Sequence, residues 1–229
     1  MGRHTLEGNP PIEVSLRRSA RAKRLSLRVS RLDGRVTLTL PQRSPEREGI
    51  AFLRGREAWL RGHLSQIAPA NPVRIGGTVP FEGRDLAIRA TPMRRARLET
   101  SQVLVPEDDA VAARVKALLR TAARDRLAAA SDHYAAAVGK RYASLSLRDT
   151  RSRWGSCSSK GTLMYSWRLI MAPPRVLQYV AAHEVAHLVE MNHSPDFWAV
   201  VERLFPDYDV CRRWLRENGD QLHRVRFDD

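Results

Sequence analysis

Two histidines four residues apart, with a glutamate directly after the first, form the segment His183-Glu184-Val185-Ala186-His187. On a helix, residues i and i+4 lie one above the other, about 5–6 Å apart at Cβ. Two imidazoles so placed can each aim a ring nitrogen at one ion about 2.0–2.1 Å away, the distance at which zinc takes histidine. Glu184 is rotated about 100° around the helix axis. Its carboxylate can reach a water at the ion without displacing either imidazole. Zinc lowers the pKa of such a water towards about 7, where a carboxylate can accept its proton. The chemistry implied is hydrolysis, with Glu184 as general base. By composition alone the five-residue pattern should occur in roughly one chain of this size in a hundred. The neighbours weigh against coincidence: Val180, Ala181, Val185, Leu188 and Val189 are apolar, and polar rings among them are costly to bury unless they hold something.

A structural zinc closes its coordination with four protein ligands, whereas a catalytic one keeps a position open for water. One more protein ligand is therefore wanted, and His193 is the nearest choice. Met191-Asn192 supplies a helix break, because Asn tolerates the left-handed conformation. Ser194 then caps a new helix with Pro195 in its first turn, which would fix His193 at the junction. Glu190 and Glu202 are the alternative third ligands. The spacing of His183, His187 and His193 equals that of the metzincins, but those enzymes place Gly where this chain has Glu190. They also need a downstream methionine, and none follows Met191.

The elements that must carry these residues can be read outward from the motif. Pro173-Pro174 opens the helix, expected to run to about Met191. Two short helices follow, Ser194 to Phe205 and Asp207 to about Asn218. Before the motif, 145–148 and 161–167 read as strands around a loop, Trp154 to Lys160, rich in Gly and Ser. Asp108 to Val138 lacks Gly and Pro and is loaded with Ala, Leu and Arg, a composition for about eight helical turns ending at Gly139. Further upstream, Val14-Ser15-Leu16-Arg17, Leu25 to Val29 and Val36 to Leu40 alternate as short strands, the last two joined by a hairpin at Asp33-Gly34. Ser44 and Pro45 look like a cap and first residue of a helix to roughly Ile67. Short strands broken by Gly and Pro occupy 73–105. The fold class expected is α+β: a β-rich N-terminal lobe with one helix over 1–105, then a hydrolase domain over 106–229.

The chain has 229 residues, 43% of them hydrophobic, enough to bury a core. No stretch approaches the roughly 20 apolar residues of a membrane span, and the N-terminus has no signal-peptide pattern. Two cysteines, Cys157 and Cys211, fit a reducing compartment. A cytoplasmic protein without a membrane partner is the expectation. A net charge of +14 favours anionic partners such as nucleic acid or nucleotides, although Lys occurs only at 23, 116, 140 and 160, an arginine bias that a GC-rich genome would also give. Oligomeric state is not readable.

Arg151-Ser152-Arg153-Trp154-Gly155-Ser156-Cys157, Trp167 to Pro173, the histidine motif, and Asn192-His193-Ser194-Pro195-Asp196-Phe197-Trp198 together resemble the YgjP-like metallopeptidases, kin to the SprT-like and WLM zinc proteases. The resemblance implies a zincin-like catalytic domain with a small antiparallel sheet, an active-site helix and a helical cap. It assigns His183, His187 and His193 to Zn2+ and Glu184 to the base, with a peptide or protein substrate. By the same analogy Gly161–Trp167 or Arg151–Cys157 would rim the cleft and pair with an extended substrate. Arg153 or Arg168 could hold an anionic group or serve a structural ion pair. Trp154, Trp167 and Trp198 are expected in the core and Cys157 in a structural role. Tyr208, Asp207 and Arg212 could stabilise an oxyanion or position the cap. Two other functions stay open: hydrolysis of nucleotide or other phosphoanhydrides, and nucleic-acid binding without catalysis.

Overall fold

Period-two alternation sets the N-terminal strands. The computed structural model describes residues 2–30, 34–65 and 71–227. In it β1 (Gly2–Leu6), β2 (Ile12–Ser19), β3 (Ser26–Val29) and β4 (Val36–Pro41) form a sheet ordered β1-β2-β4-β3. β3 and β4 are the expected antiparallel hairpin, while β2 and β4 run parallel; Asp33 of the expected turn lies outside the described residues. Ile12, Val14 and Leu16 of β2 and Val36, Leu38 and Leu40 of β4 are buried with Leu53 and Leu60, which come from α1 (Glu46–Arg54) and α2 (Glu57–Ser65). Each such burial stabilises by about 1.5–3 kcal/mol. β1 gives no signal in the sequence, since only Leu6 of its residues is buried. The single helix expected from Ser44 is two, parted at Gly55, and Pro45 rather than Ser44 stands at its cap without a side-chain bond. Its expected end, Ile67, lies outside the described residues.

The chain divides into two compact units, Met1–Ala70 and Asn71–Asp229. The second opens on β5 (Asn71–Pro72), β6 (Thr78–Phe81), β7 (Arg84–Ala90), β8 (Arg97–Leu98) and β9 (Gln102–Val105). β6 to β9 form a sheet ordered β6-β7-β9-β8, with β7 and β9 parallel. This division falls earlier than the expected boundary near 105. Val79, Leu86, Ile88, Val103 and Val105 share one core with Val111, Val115 and Leu119, so these strands belong with the helix that follows them. That helix, α3 (Val111–Ala137), buries Val115, Leu119, Ala123, Leu127, Ala130 and Tyr134 along one stripe. It stops where expected: Gly139 has φ +64, and Lys140 N–H donates to the Ala135 carbonyl at 3.0 Å, a left-handed C-terminal turn suited to Gly.

Three strands then build a mixed sheet in the order β10-β12-β11: β10 (Ser144–Arg148), β11 (Gly155–Cys157) and β12 (Thr162–Ser166). β10 pairs with β12 in parallel and β11 with β12 antiparallel. The Gly- and Ser-rich loop expected at Trp154–Lys160 therefore contains a strand, and Trp167 opens a 3-10 turn, Trp167–Met171, instead of ending one. α4 (Pro174–Ala186) follows with Pro at its first position and ends about a turn before Met191. α5 (Pro195–Leu204) and α6 (Tyr208–Arg224) complete the helices. α6 runs past Asn218 and through Gly219, because a Cβ at Gly219 would lie 2.9 Å from Trp154 Cζ2; the glycine seats an indole and does not stop the helix. β13 (Val225–Arg226) pairs in parallel with β5. Among the described residues no helix is long and apolar enough to cross a membrane.

Candidate metal centre

His183 and His187 sit one turn apart on α4, with ring centroids 5.2 Å apart. His187 caps the C-terminus in the right-handed helical conformation, φ −66 and ψ −13, so its ring still projects along the face of His183. The chain then turns through Val189 and Glu190, whose N–H groups both donate to the Ala186 carbonyl at 3.0 Å. Ser194 ends the break as expected: its hydroxyl accepts the Phe197 N–H at 3.3 Å and Pro195 starts α5. The result brings His193 Nε2 to 3.2 Å from His183 Nε2.

Ring nitrogens of His183, His187 and His193 all lie within 4.8 Å of one another. Among the described residues no carboxylate joins that group, neither Glu190 nor Glu202. Glu190 contributes its backbone instead: its carbonyl lies 3.0 Å from His187 Nδ1. A proton on Nδ1 donated there leaves the Nε2 lone pair free, the second-shell pattern that orients a ligating imidazole. Nδ1 of His183 is buried with no hydrogen-bond partner, so Nε2, facing His193, is the nitrogen open to the shared space. Burial first, then the neighbouring His187, His193 and Arg212, depresses the His183 imidazolium to about 3. Burial also lowers His187 against the pull of the Glu190 carbonyl. Both rings are therefore neutral near pH 7, the form that binds metal. Two nitrogens at zinc–histidine distance on a tetrahedral ion stand about 3.4 Å apart, close to the spacing of the His183 and His193 nitrogens. The donor set fits a divalent ion of zinc type.

Phe197 forms the floor. It is 0% exposed, stacks on His187 at 4.4 Å, and meets His193 at 4.8 Å and His183 at 4.9 Å, edge to face. Its role is invisible in the motif, though its place three residues after a capping serine gives it away once the cap is known. Trp198 and Tyr179 wall the cluster, at 5.9 Å from His193 and 5.9 Å from His183 respectively, and Tyr208 stacks on both. Trp198 is thus half-buried beside the histidines rather than in the core. Trp154 is half-buried against Gly219 and His223, and Trp167 is a core residue, 1% exposed.

Glu184, next to His183 on α4, packs against β11. It is 5% exposed and lies so close to the backbone of Gly155 that a Cβ there would stand 2.5 Å from Oε1. Burial raises its carboxyl to about 8, opposed by the charge of Arg153. Cys157 on the same strand is pushed up to about 11, by burial and then by Glu184, which leaves a protonated, unreactive thiol. Of the two arginines considered for anion binding, Arg168 is structural. It is buried, bonds Asp149 at 2.6 and 3.1 Å, and donates to the Leu222 and Val225 carbonyls at 2.8 and 3.0 Å, fastening the end of α6. Asp207 is taken by Arg175. β12, paired on both sides, has no edge to offer an extended chain; β11 pairs with β12 alone among the described residues.

Fold and site define an α+β protein with a three-histidine group suited to one divalent ion beside a buried carboxylate. The chain belongs to the YgjP-like family: the profile of the YgjP-like metallopeptidase domain matches residues 23–218. Membership implies a metal and a hydrolytic reaction on protein or peptide. Among solved structures, the chain is similar to the metallopeptidase zymogen of Pyrococcus abyssi abylysin, with 21% identity over 41% of this chain and 95% of that one, at a TM-score of 0.37. No curated protein matches the sequence.

Proposed function

We propose that the protein is a zinc metallopeptidase of zincin type, with His183, His187 and His193 holding the metal and Glu184 as general base. The observation that carries the reading is the convergence of the three ring nitrogens within 4.8 Å on one helix and its following junction. Zinc held there would supply Lewis acidity, lowering the pKa of a water towards about 7 and polarising the scissile carbonyl. Glu184 takes the proton of the attacking water and returns it to the leaving amine. Its burial against Gly155 holds the carboxyl in one place, and the charge of a bound divalent ion would lower its raised pKa and favour the carboxylate that accepts the proton. The free edge of β11 accepts the substrate backbone as an added strand, next to the carboxylate that acts on it. Phe197 and Trp198 exclude water from the far side of the histidines.

The test is a paired measurement on full-length protein. Elemental analysis should find about one zinc per chain, retained in Glu184→Gln and lost on substituting His183 and His187 together. Peptide cleavage by Glu184→Gln should fall by several orders of magnitude. A metal-loaded Glu184→Gln protein of unchanged activity would sink the mechanism. A second reading, hydrolysis of nucleotide phosphoanhydrides, draws on the two arginines whose charges reach Glu184 and His183, Arg153 and Arg212. Nucleoside triphosphates belong in the same screen, and phosphate release that Glu184→Gln abolishes, without peptide cleavage, would select that reading.

A further inference from the structure

Arg212 stands in the second turn of α6. Its guanidinium carbon lies 4.7 Å from the centroid of Trp198, and Trp198 in turn lies 5.7 Å from the His183 ring and 5.9 Å from that of His193. The guanidinium is thus one indole away from the metal-ligand cluster. A cation on an aromatic face is held in place at small entropic expense, and the planar fork remains free to donate at its edge. Its ion pair is weak: Asp209 is 3.9 Å away, and the two side chains are 53% and 68% exposed, a separation and exposure at which such pairs contribute little. Arg175, over the Phe205 ring at 5.7 Å, is committed to Asp207.

We propose that Arg212, presented by Trp198, is a specificity-determining residue that binds a carboxylate of the peptide substrate beside the scissile bond. The proposal rests on the peptidase reading above and names the substrate class it acts on: peptides carrying an acidic side chain or a free C-terminal carboxylate near the cleaved bond. The fork of Arg212 meets a carboxylate with two parallel N–H···O bonds, a geometry lysine cannot reproduce. Leaving the guanidinium half in water and half on the indole keeps its desolvation small, so the gain falls on the correct substrate rather than on folding. A neutral or basic peptide leaves that fork unanswered.

Binding separates this from catalysis. Fluorescein-labelled peptides are titrated into the zinc-loaded Glu184→Gln protein, which should bind without cleaving, and anisotropy is read. The peptide set places Asp or Glu, then Asn or Gln, on either side of a fixed bond, with the C-terminus free or amidated. Acidic peptides should bind about tenfold more tightly than their amides, the size of one charge-assisted hydrogen-bond pair, and the preference should weaken with salt. Adding Arg212→Gln should remove the preference while leaving the neutral peptides' affinity unchanged. Arg212→Lys should restore part of it. In the otherwise wild-type enzyme Arg212→Gln should raise KM for acidic peptides with kcat little changed. A preference confined to free C-termini assigns the site to the terminal carboxylate; one confined to internal Asp or Glu assigns it to the side chain. Equal affinity for acidic and neutral peptides, or a preference that survives Arg212→Gln, overturns the proposal. So does displacement of a bound acidic peptide by inorganic triphosphate at lower concentration than by glutarate, which would make phosphate the ligand. If no peptide is cleaved by the wild type, the peptidase reading itself has failed, and cleavage without acidic preference fails the inference alone.

Discussion

Replacing Gly155 by alanine tests whether Glu184 is seated against β11. The added Cβ would stand 2.5 Å from Oε1, 2.6 Å from Cγ and 2.8 Å from Cδ of Glu184. Relaxed contacts of this kind lie at about 3.5–4.0 Å, so something must move by about 1 Å. β11 is tied to β12 through Gly155, Ser156 and Cys157, and Glu184 is 5% exposed on a helix with a full core around it. Neither can yield freely. Overpacking in such a place costs about 1–3 kcal/mol, which lowers the melting temperature of a unit this size by about 2–10 °C. If the carboxylate is what moves, a displacement of about 1 Å lowers kcat about a hundredfold. The assay joins thermal unfolding, zinc content and steady-state cleavage on the same preparations. Zinc content should not change, since the three atoms nearest that Cβ all belong to Glu184 and not to the histidines. A Gly155→Ala protein with wild-type melting temperature and wild-type kcat would show that the space exists and refute the seating of Glu184.

Three further outcomes are expected. Gly219→Ala should fail to deliver the roughly 1 kcal/mol that alanine gains over glycine inside a helix, because its Cβ meets Trp154 at 2.9 Å; Gly62→Ala in α2, with nothing within 4 Å, should deliver it, and denaturant midpoints compare the two. Asp149→Asn strips the carboxylate from buried Arg168 and should destabilise by about 2 kcal/mol, below the full cost of breaking a buried pair since Asp149 is 39% exposed. Burial raises the Asp149 carboxyl, but the hydrogen bonds and charge of Arg168 outweigh it and leave it lowered from 3.8. Its stabilisation is therefore present above about pH 4 and lost as pH falls through the lower folded value, so wild type and Asp149→Asn should converge in stability in acid. Ser194→Ala removes the cap of α5, worth about 1 kcal/mol, and should weaken zinc binding about tenfold by loosening His193, as read by chelator competition.

What was legible in the sequence follows from how local each signal is. His183 and His187 need only helical periodicity, and His193 only a break and a cap, all within a dozen residues. α3 declares itself by composition and Gly139. The elements that went unread depend on partners far along the chain. β11 looks like a loop because Gly155 and Ser156 give no alternation; its glycine is demanded by Glu184, twenty-nine positions away in another element. α6 is expected to end near Asn218, and its continuation through Gly219 depends on Trp154, far along the chain. The boundary near 105 is drawn where strands give way to helix, but cores are assigned by packing, and Ile88 and Val103 pack with Leu119. Arg168 could not be told from Arg153 because burial, not spacing, separates a structural cation from a free one.

The pairing of β13 with β5 has a topological consequence. Val225 lies opposite Asn71 and Arg226 opposite Pro72, so the second unit begins and ends on one two-stranded ribbon. A short linker from Phe227 back to Asn71 would close it into a ring, and the exposed turn at Gly139-Lys140 could then be cut to give new ends. Such a circular permutant of residues 71–227 would keep β11, α4, α5 and α6 in their chain order, and with them His183, Glu184, His187 and His193.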